Sequence, residues 1–311
     1  MWREYLAFAV VLASAALVHG APAPNPWPEF DVPAPGPARS IGSYSAGCLQ
    51  GAEELPLDGL GYQVMRPSRR RNFGHPSLLD YIGKLGKRVH AQKLGVLLVG
   101  DLSQARGGRA ASGHASHQTG LDVDVWYAHP KQARKRPLAM LMREQLVAES
   151  VVDDARHTMV PRWRGHVTSV LRLAASDERV DRVFVNPLIK QTLCEAAPSQ
   201  RAWLRKIRPW YGHADHFHAR LGCAKGDADC QSQATLPAGD GCDELAKWLR
   251  PRAAKPAKKV IRSLRKVAPP SQLARYKKAV SEGSGWPAQC NALLEVAGDE
   301  RIAAKPGELS R

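Results

Sequence analysis

The stretch Leu121-Asp122-Val123-Asp124-Val125-Trp126-Tyr127 alternates with a period of two. Successive side chains of a strand point to opposite faces, so Leu121, Val123 and Val125 share one face and Asp122, Asp124 and Trp126 the other. This predicts a half-buried strand that carries two carboxylates on its open face. Phe217 to Leu221 reads as a second short strand, on which His216, His218 and Arg220 share a face. Leu94 to Val99, ending in Gly100, and Val180 to Val185 are further strand candidates. Between them lie helical patterns. Pro76 to Gln92 carries Leu78, Leu79, Ile82, Leu85 and Val89 at helical spacing. Residues 138–149 and 163–175 follow the same period, and another helix starts around Lys190 to Glu195. No regular βαβ rhythm appears, so the fold class is α+β: a small central antiparallel sheet flanked by helices and stapled loops.

The chain has 311 residues, is 44% hydrophobic and carries a formal charge of +16. That apolar share excludes wholesale disorder. After the N-terminus no apolar run reaches the length of a spanning helix, so a multi-span membrane protein is excluded. The charge points to an anionic partner. Six cysteines, all downstream of residue 47, lack the short paired spacing of thiolate metal sites. Disulfides formed in an oxidising compartment are the better reading, with 15 pairings open on spacing alone.

Residues 1–20 read as a secretory signal peptide, with Arg3 near the start, an apolar run from Leu6 to Val18, and Val18 and Gly20 before a cut at Ala21. Export argues against nucleic acid as the partner and for an acidic wall or membrane surface, and leaves no transmembrane span in the mature chain. Residues 21–40, with prolines from Pro22 to Pro37, read as an extended linker. The main domain is expected over 41–249. A basic C-terminal region, 250–311, follows, and its run from Arg250 to Lys278 contains no acid.

Most of the histidines bunch in three places. Ser112-Gly113-His114-Ala115-Ser116-His117 runs into Gln118-Thr119-Gly120-Leu121-Asp122-Val123-Asp124. A loop carrying His117 can fold back on the strand carrying Asp124, so both reach one ion. His213-Ala214-Asp215-His216-Phe217-His218 puts His216 and His218 on one face of a strand. Asp154 and His157 lie three apart, on one face of a helix or turn. Singly, each of these residues has a structural explanation, such as a cap or a hydrogen-bonded histidine. Together, imidazole and carboxylate suit zinc. His117, Asp124 and His218 would leave one open position, as a catalytic site requires, and His216 beside them is placed to handle a proton. The chain has no Gly-x-Ser-x-Gly elbow, phosphate loop, dinucleotide fingerprint or His-Glu-x-x-His.

At these residues the sequence resembles the penicillin-insensitive murein endopeptidases, which belong to a wider set of zinc peptidases that includes lysostaphin-type and D-Ala-D-Ala peptidases. The wider pattern, a His and an Asp seven apart and then a distant His-x-His, is met by His117, Asp124, His216 and His218. The narrower family's hallmarks resemble residues 113–124 and Arg208-Pro209-Trp210-Tyr211-Gly212-His213. The likeness runs from about Gly42 to Gln289, while the basic stretch and the tail 296–311 have no counterpart.

The resemblance implies that His117, Asp124 and His218 hold Zn2+, that His216 is the general base or oxyanion stabiliser, and that His213 assists. It puts His114, Asp154 and His157 around a second ion. It also implies the disulfides Cys48–Cys290, Cys194–Cys242 and Cys223–Cys230, the first tying the C-terminal region back to the domain. The expected activity is zinc-dependent, β-lactam-insensitive hydrolysis of D-alanyl–diaminopimelyl cross-links of peptidoglycan in the periplasm. The rival readings are a D-Ala-D-Ala carboxypeptidase, a non-catalytic zinc-containing wall-binding module, and a basic polyanion-binding protein with an incidental metal. Oligomeric state is left open.

Overall fold

The computed structural model describes residues 25–111, 113–197, 199–249 and 287–295. The signal peptide, the first linker residues, the basic stretch 250–278 and the tail 296–311 lie outside the described residues, as does Ser112 of the histidine-rich motif.

The elements run as follows: β1 (Arg39–Ser43), β2 (Ala46–Gln50), β3 (Glu53–Glu54), β4 (Asp58–Gly59), β5 (Tyr62–Val64), β6 (Phe73–Gly74), α1 (Pro76–Ala91), β7 (Leu97–Val99), β8 (Asp122–Trp126), α2 (Met140–Gln145), β9 (Val152–Asp153), β10 (Thr158–Met159), α3 (Gly165–Ala175), β11 (Val180–Val185), α4 (Pro187–Ala196), β12 (Ile207–Pro209), β13 (His216–Leu221), α5 (Leu245–Trp248) and α6 (Ala288–Glu295). The α+β expectation holds. Seven strands form the central sheet, in the order β12-β11-β13-β8-β7-β5-β4. The sheet is antiparallel around β13 and β8, but β5–β7 and β11–β12 are parallel, so it is larger and more mixed than expected.

One face of the sheet meets α1 and α3. Helix α1 buries Leu78, Tyr81, Ile82, Leu85 and Val89, the stripe its period dictates. Pro76 opens it, where a missing N–H costs nothing, and the His75 ring accepts from the Ser77 N–H at 3.2 Å. Helix α3 buries Val167, Val170, Leu171 and Ala174. Leu121, Val123 and Val125 join these helices in the main core. Only Met140–Gln145 of the expected helix 138–149 forms, because Ala139 and Leu146 on either side have extended backbone.

The other face of β8 is not open. Asp122 is 0% exposed and Asp124 4%, so the strand is buried on both faces rather than half-buried. Residues 101–111 and 113–120 fold over it and are pinned to the β1–β2 hairpin. Ser40 Oγ donates to the Thr119 carbonyl at 2.9 Å, and the Gly47 N–H donates to Gln118 Oε1 at 3.3 Å.

The described part of the proline-rich segment, from residue 25 on, packs on the domain rather than running free of it. Trp27 is 0% exposed, and with Phe30, Ala34, Ile41, Cys48, Cys290, Leu293 and Leu294 it forms a second small core. Burying an indole and a phenyl ring outweighs the extended preference of the prolines around them. Gly108 seats Trp27: its φ is +70°, and a Cβ there would lie 2.0 Å from the indole. The cysteines pair as Cys48–Cys290, Cys194–Cys242 and Cys223–Cys230. No helix among the described residues is long and apolar enough to cross a membrane.

Candidate metal centre

The β8–β13 ladder builds the centre. Its register sets His218 opposite Asp124, His216 opposite Trp126 and Arg220 opposite Asp122. Directly opposed residues of an antiparallel pair have Cβ atoms about 5 Å apart, so an imidazole and a carboxylate are forced together at mid-sheet. The overlying loop adds His114 and His117. His117 takes a left-handed backbone, φ +67°, and drives its ring into the core, where it is 3% exposed.

Three ring nitrogens converge on one oxygen. His117 Nε2 and His218 Nδ1 each lie 3.4 Å from Asp124 Oδ1, and His216 Nε2 lies 3.6 Å from it. On the other side, His114 Nδ1 lies 3.6 Å from Asp124 Oδ2. Donor atoms of His114, His117 and Asp124 all fall within 4.8 Å of one another. Both ring nitrogens of His117 and Asp124 Oδ1 are buried without a hydrogen-bond partner. A buried polar atom with no partner costs about 1–3 kcal/mol, and one divalent cation would satisfy one ring nitrogen of His117 together with Asp124 Oδ1. The residues therefore fit a metal ion with nitrogen and oxygen ligands.

The far nitrogen of each outer ring is fixed by a carboxylate. His218 Nε2 lies 2.5 Å from Asp122 Oδ1, His114 Nε2 lies 2.9 Å from Asp101 Oδ2, and His216 Nδ1 lies 2.6 Å from Asp215 Oδ1. A neutral imidazole donates its one N–H to such a partner, which turns the free lone pair of His218 toward Asp124. Asp122 is itself braced by Arg220, whose Nε donates to Oδ1 at 2.7 Å. Asp101 accepts from Arg71 at 2.8 Å and Arg69 at 3.0 Å.

The electrostatics follow from these contacts. Burial pushes the Asp122 carboxyl up, but Arg220 and His218 overcome it and hold it well below the usual range. Asp124 is likewise held low: His117 and His216 outweigh its burial. Burial outweighs Asp122 and pushes His218 down to about 4, so its ring is neutral, as a ligand must be. Burial and then His216 push His213 down to about 4. His213, with φ +49°, has its ring centroid 5.0 Å from that of His216 and 5.9 Å from that of His218.

The structure thus gathers His114, His117, Asp124, His216 and His218, with His213 alongside. Asp154 and His157 stand elsewhere, exposed in the turn between β9 and β10, with His157 at φ +51°. Sequence reasoning gave no role to Asp101, Asp122 and Asp215. Asp122 had a signal, since it shares a face with Asp124 and β13 offers a histidine and an arginine on the same face. Asp101 had none, since only the folding of the loop brings it to His114.

Fold and site together define an α+β protein whose central ladder carries a buried histidine–carboxylate centre. The sequence model described as penicillin-insensitive murein endopeptidase matches residues 40–295, and the chain belongs to that family. It is 45% identical over 252 residues to the penicillin-insensitive murein endopeptidase of Klebsiella pneumoniae strain 342, covering 81% of this chain and 89% of that relative. The proteins of the same name from Salmonella arizonae and Shigella sonnei are 45% and 44% identical, over 76% and 83% of this chain and 87% and 93% of theirs.

Proposed function

We propose that this chain is an exported zinc-dependent murein endopeptidase that cleaves D-alanyl–diaminopimelyl cross-links of peptidoglycan in the periplasm. The observation that carries the reading is the convergence of His117, His218 and His216 on Asp124 Oδ1, with His117 buried and otherwise unpartnered. Family membership supports the substrate class, and the relatives' shared name supports cleavage within the wall peptide.

His117, Asp124 and His218 would hold the zinc ion, with His114 beside them; Asp154 and His157, exposed in the β9–β10 turn, are not gathered with His114, so the expected second-ion set is not assembled. Bound there, zinc supplies Lewis acidity toward a carbonyl oxygen and makes water a nucleophile near neutral pH. The remaining work falls to this chain's residues. His216 has its Nδ1 tied to Asp215, so its Nε2 is free to take a proton from the attacking water and return it to the departing amine. Water adds to the amide carbon, the C–N bond breaks, and the products are a carboxylate and a free amine. His213, neutral beside His216, steadies the oxyanion as it forms. No serine nucleophile takes part, so β-lactams should not inhibit.

The test is mass spectrometry of purified muropeptide dimers incubated with the zinc-loaded protein, with and without chelator. Dimers should fall to monomers, chelator should block this, and penicillin should not. Loss of a single terminal alanine would replace the reading with a carboxypeptidase. Intact dimers with zinc bound would overturn it in favour of a binding module.

A further inference from the structure

Beside the metal centre lies a cleft of about 250 Å³, lined among others by Arg66, Asp101, His114, Asp124, Trp126 and His216. Most of its charges are committed. Asp101 is taken by Arg69, Arg71 and His114, and Asp215 by His216. Arg66 is the exception. Among the described residues no carboxylate lies within 4.0 Å of its guanidinium. Among the described residues the guanidinium makes one hydrogen bond, a long one from Nη2 to the Leu146 carbonyl at 3.4 Å. The group lies over the Trp126 ring, 5.5 Å from its centroid, which orients the fork without neutralising it.

The backbone shows that this position is enforced. Arg66 has φ +54° and precedes Pro67, two conditions that each disfavour its helical left-handed geometry. Its N–H is held by the Arg143 carbonyl at 3.1 Å. Arg143 is 1% exposed and anchored by Leu138, Leu57 and Asp58. Strain kept up by a buried anchor, beside an active cleft, marks a side chain whose direction matters. Burial, and then Arg69, push the Arg66 pKa down against Asp101, Asp215 and Glu144, a cost that a bound anion removes.

We infer that Arg66 is the receptor for a substrate carboxylate: the free acid of the residue on the amine side of the scissile bond. The inference rests on the proposed activity, since diaminopimelate bears a carboxylate one carbon from the nitrogen that is released. A planar guanidinium matches a carboxylate through two parallel hydrogen bonds, which fixes the peptide's register as well as its charge.

The test uses the full chain stripped of divalent metal, so that nothing is cleaved. Its ligand is a cross-linked muropeptide dimer with this carboxylate either free or converted to the carboxamide. By titration calorimetry the wild-type chain should bind the acid about 10–100-fold more tightly than the amide, the range of a charge-assisted pair. Arg66→Gln should bind both as the wild type binds the amide. An unchanged preference in Arg66→Gln overturns the inference, and so does equal or absent binding of the two forms by the wild type. Should Arg66→Gln fail to fold, Arg66→Lys takes its place. It keeps the charge but loses the fork, and an undiminished preference there also overturns the inference. Because the readout is binding, the two readings fail separately. A carboxylate preference with no hydrolysis by the zinc-loaded chain would sink the proposed activity and leave Arg66 as the receptor.

Discussion

Asp122 and His218 meet across the β8–β13 ladder, with Asp122 Oδ1 2.5 Å from His218 Nε2, and the carboxylate is 0% exposed. One oxygen serves both the ring and Arg220, so the strand pair, the tautomer of a proposed ligand and a buried charge are a single arrangement.

Asp122→Asn keeps the volume and removes the charge. Arg220 is then left buried without its counter-ion, and the amide can present a donor to the ring. Metal affinity should fall about 10–100-fold, as for other partners behind a ligating histidine. Stability should fall by about 3 kcal/mol or more, the size of a broken buried pair. Chelator competition and urea unfolding read the two effects. A variant with wild-type zinc affinity would remove Asp122 from its orienting role.

His117→Ala and His218→Ala each remove a proposed ligand, and each should abolish dimer cleavage together with tight zinc binding. His216→Ala should instead keep the zinc and lose turnover. Retained cleavage in either of the first two variants, at normal zinc content, would defeat the ligand assignment.

Lys190 gives a pH dependence remote from the centre. It is 0% exposed, its Nζ donates to the carbonyls of Leu204 at 2.7 Å and Asp240 at 2.6 Å, and burial pushes its pKa down to about 7. The unfolded chain keeps that proton to about pH 10.4, so between pH 7 and that value it binds more protons than the folded chain. Unfolding free energy should therefore rise with pH across this window, by up to a few kcal/mol in all. Urea titrations from pH 6 to 9.5 should show the rise in wild type and a flatter profile in Lys190→Met. Equal slopes in the two proteins would mean that the ammonium does not titrate there.

The Cys48–Cys290 bridge spans a sequence separation of 242. Paired Cys48→Ser and Cys290→Ser substitutions should cost about 2–5 kcal/mol, as is typical of native disulfides. Helix α6 should loosen from β2, and Trp27 should become accessible to solvent. Tryptophan emission and acrylamide quenching would report this, and unchanged quenching would show that the small core holds without its staple.

How far the sequence carried the reading depends on range. Asp124, His117, His216 and His218 were legible because strand periodicity and fixed spacing are local properties. The facing of Asp124 and His218 depends on register between strands far apart in sequence, which no local pattern states. Asp101 was invisible for the same reason, since its partners Arg69, Arg71 and His114 reach it only through loop folding. The prolines from Pro26 to Pro37 misled because local stiffness says nothing about whether Trp27 finds a pocket. The hairpin that holds Asp154 and His157 was equally hidden, since two-residue strands leave no periodic signal.

The small core around Trp27 also has a consequence for how the molecule can be moored. Asn25 Nδ2 donates to the Arg109 carbonyl at 2.7 Å, and Arg106, three residues back, donates to the Leu293 carbonyl at 2.7 Å. Asn25 and Leu293, near the two ends of the described residues, are thus both bonded to one stretch, Arg106–Arg109. A pull applied at Asn25 or at α6 would meet the same spot, so the domain would swing about one pivot whichever of the two is held. Traction there would load Arg106 and the Cys48–Cys290 bridge before it reached the β8–β13 ladder.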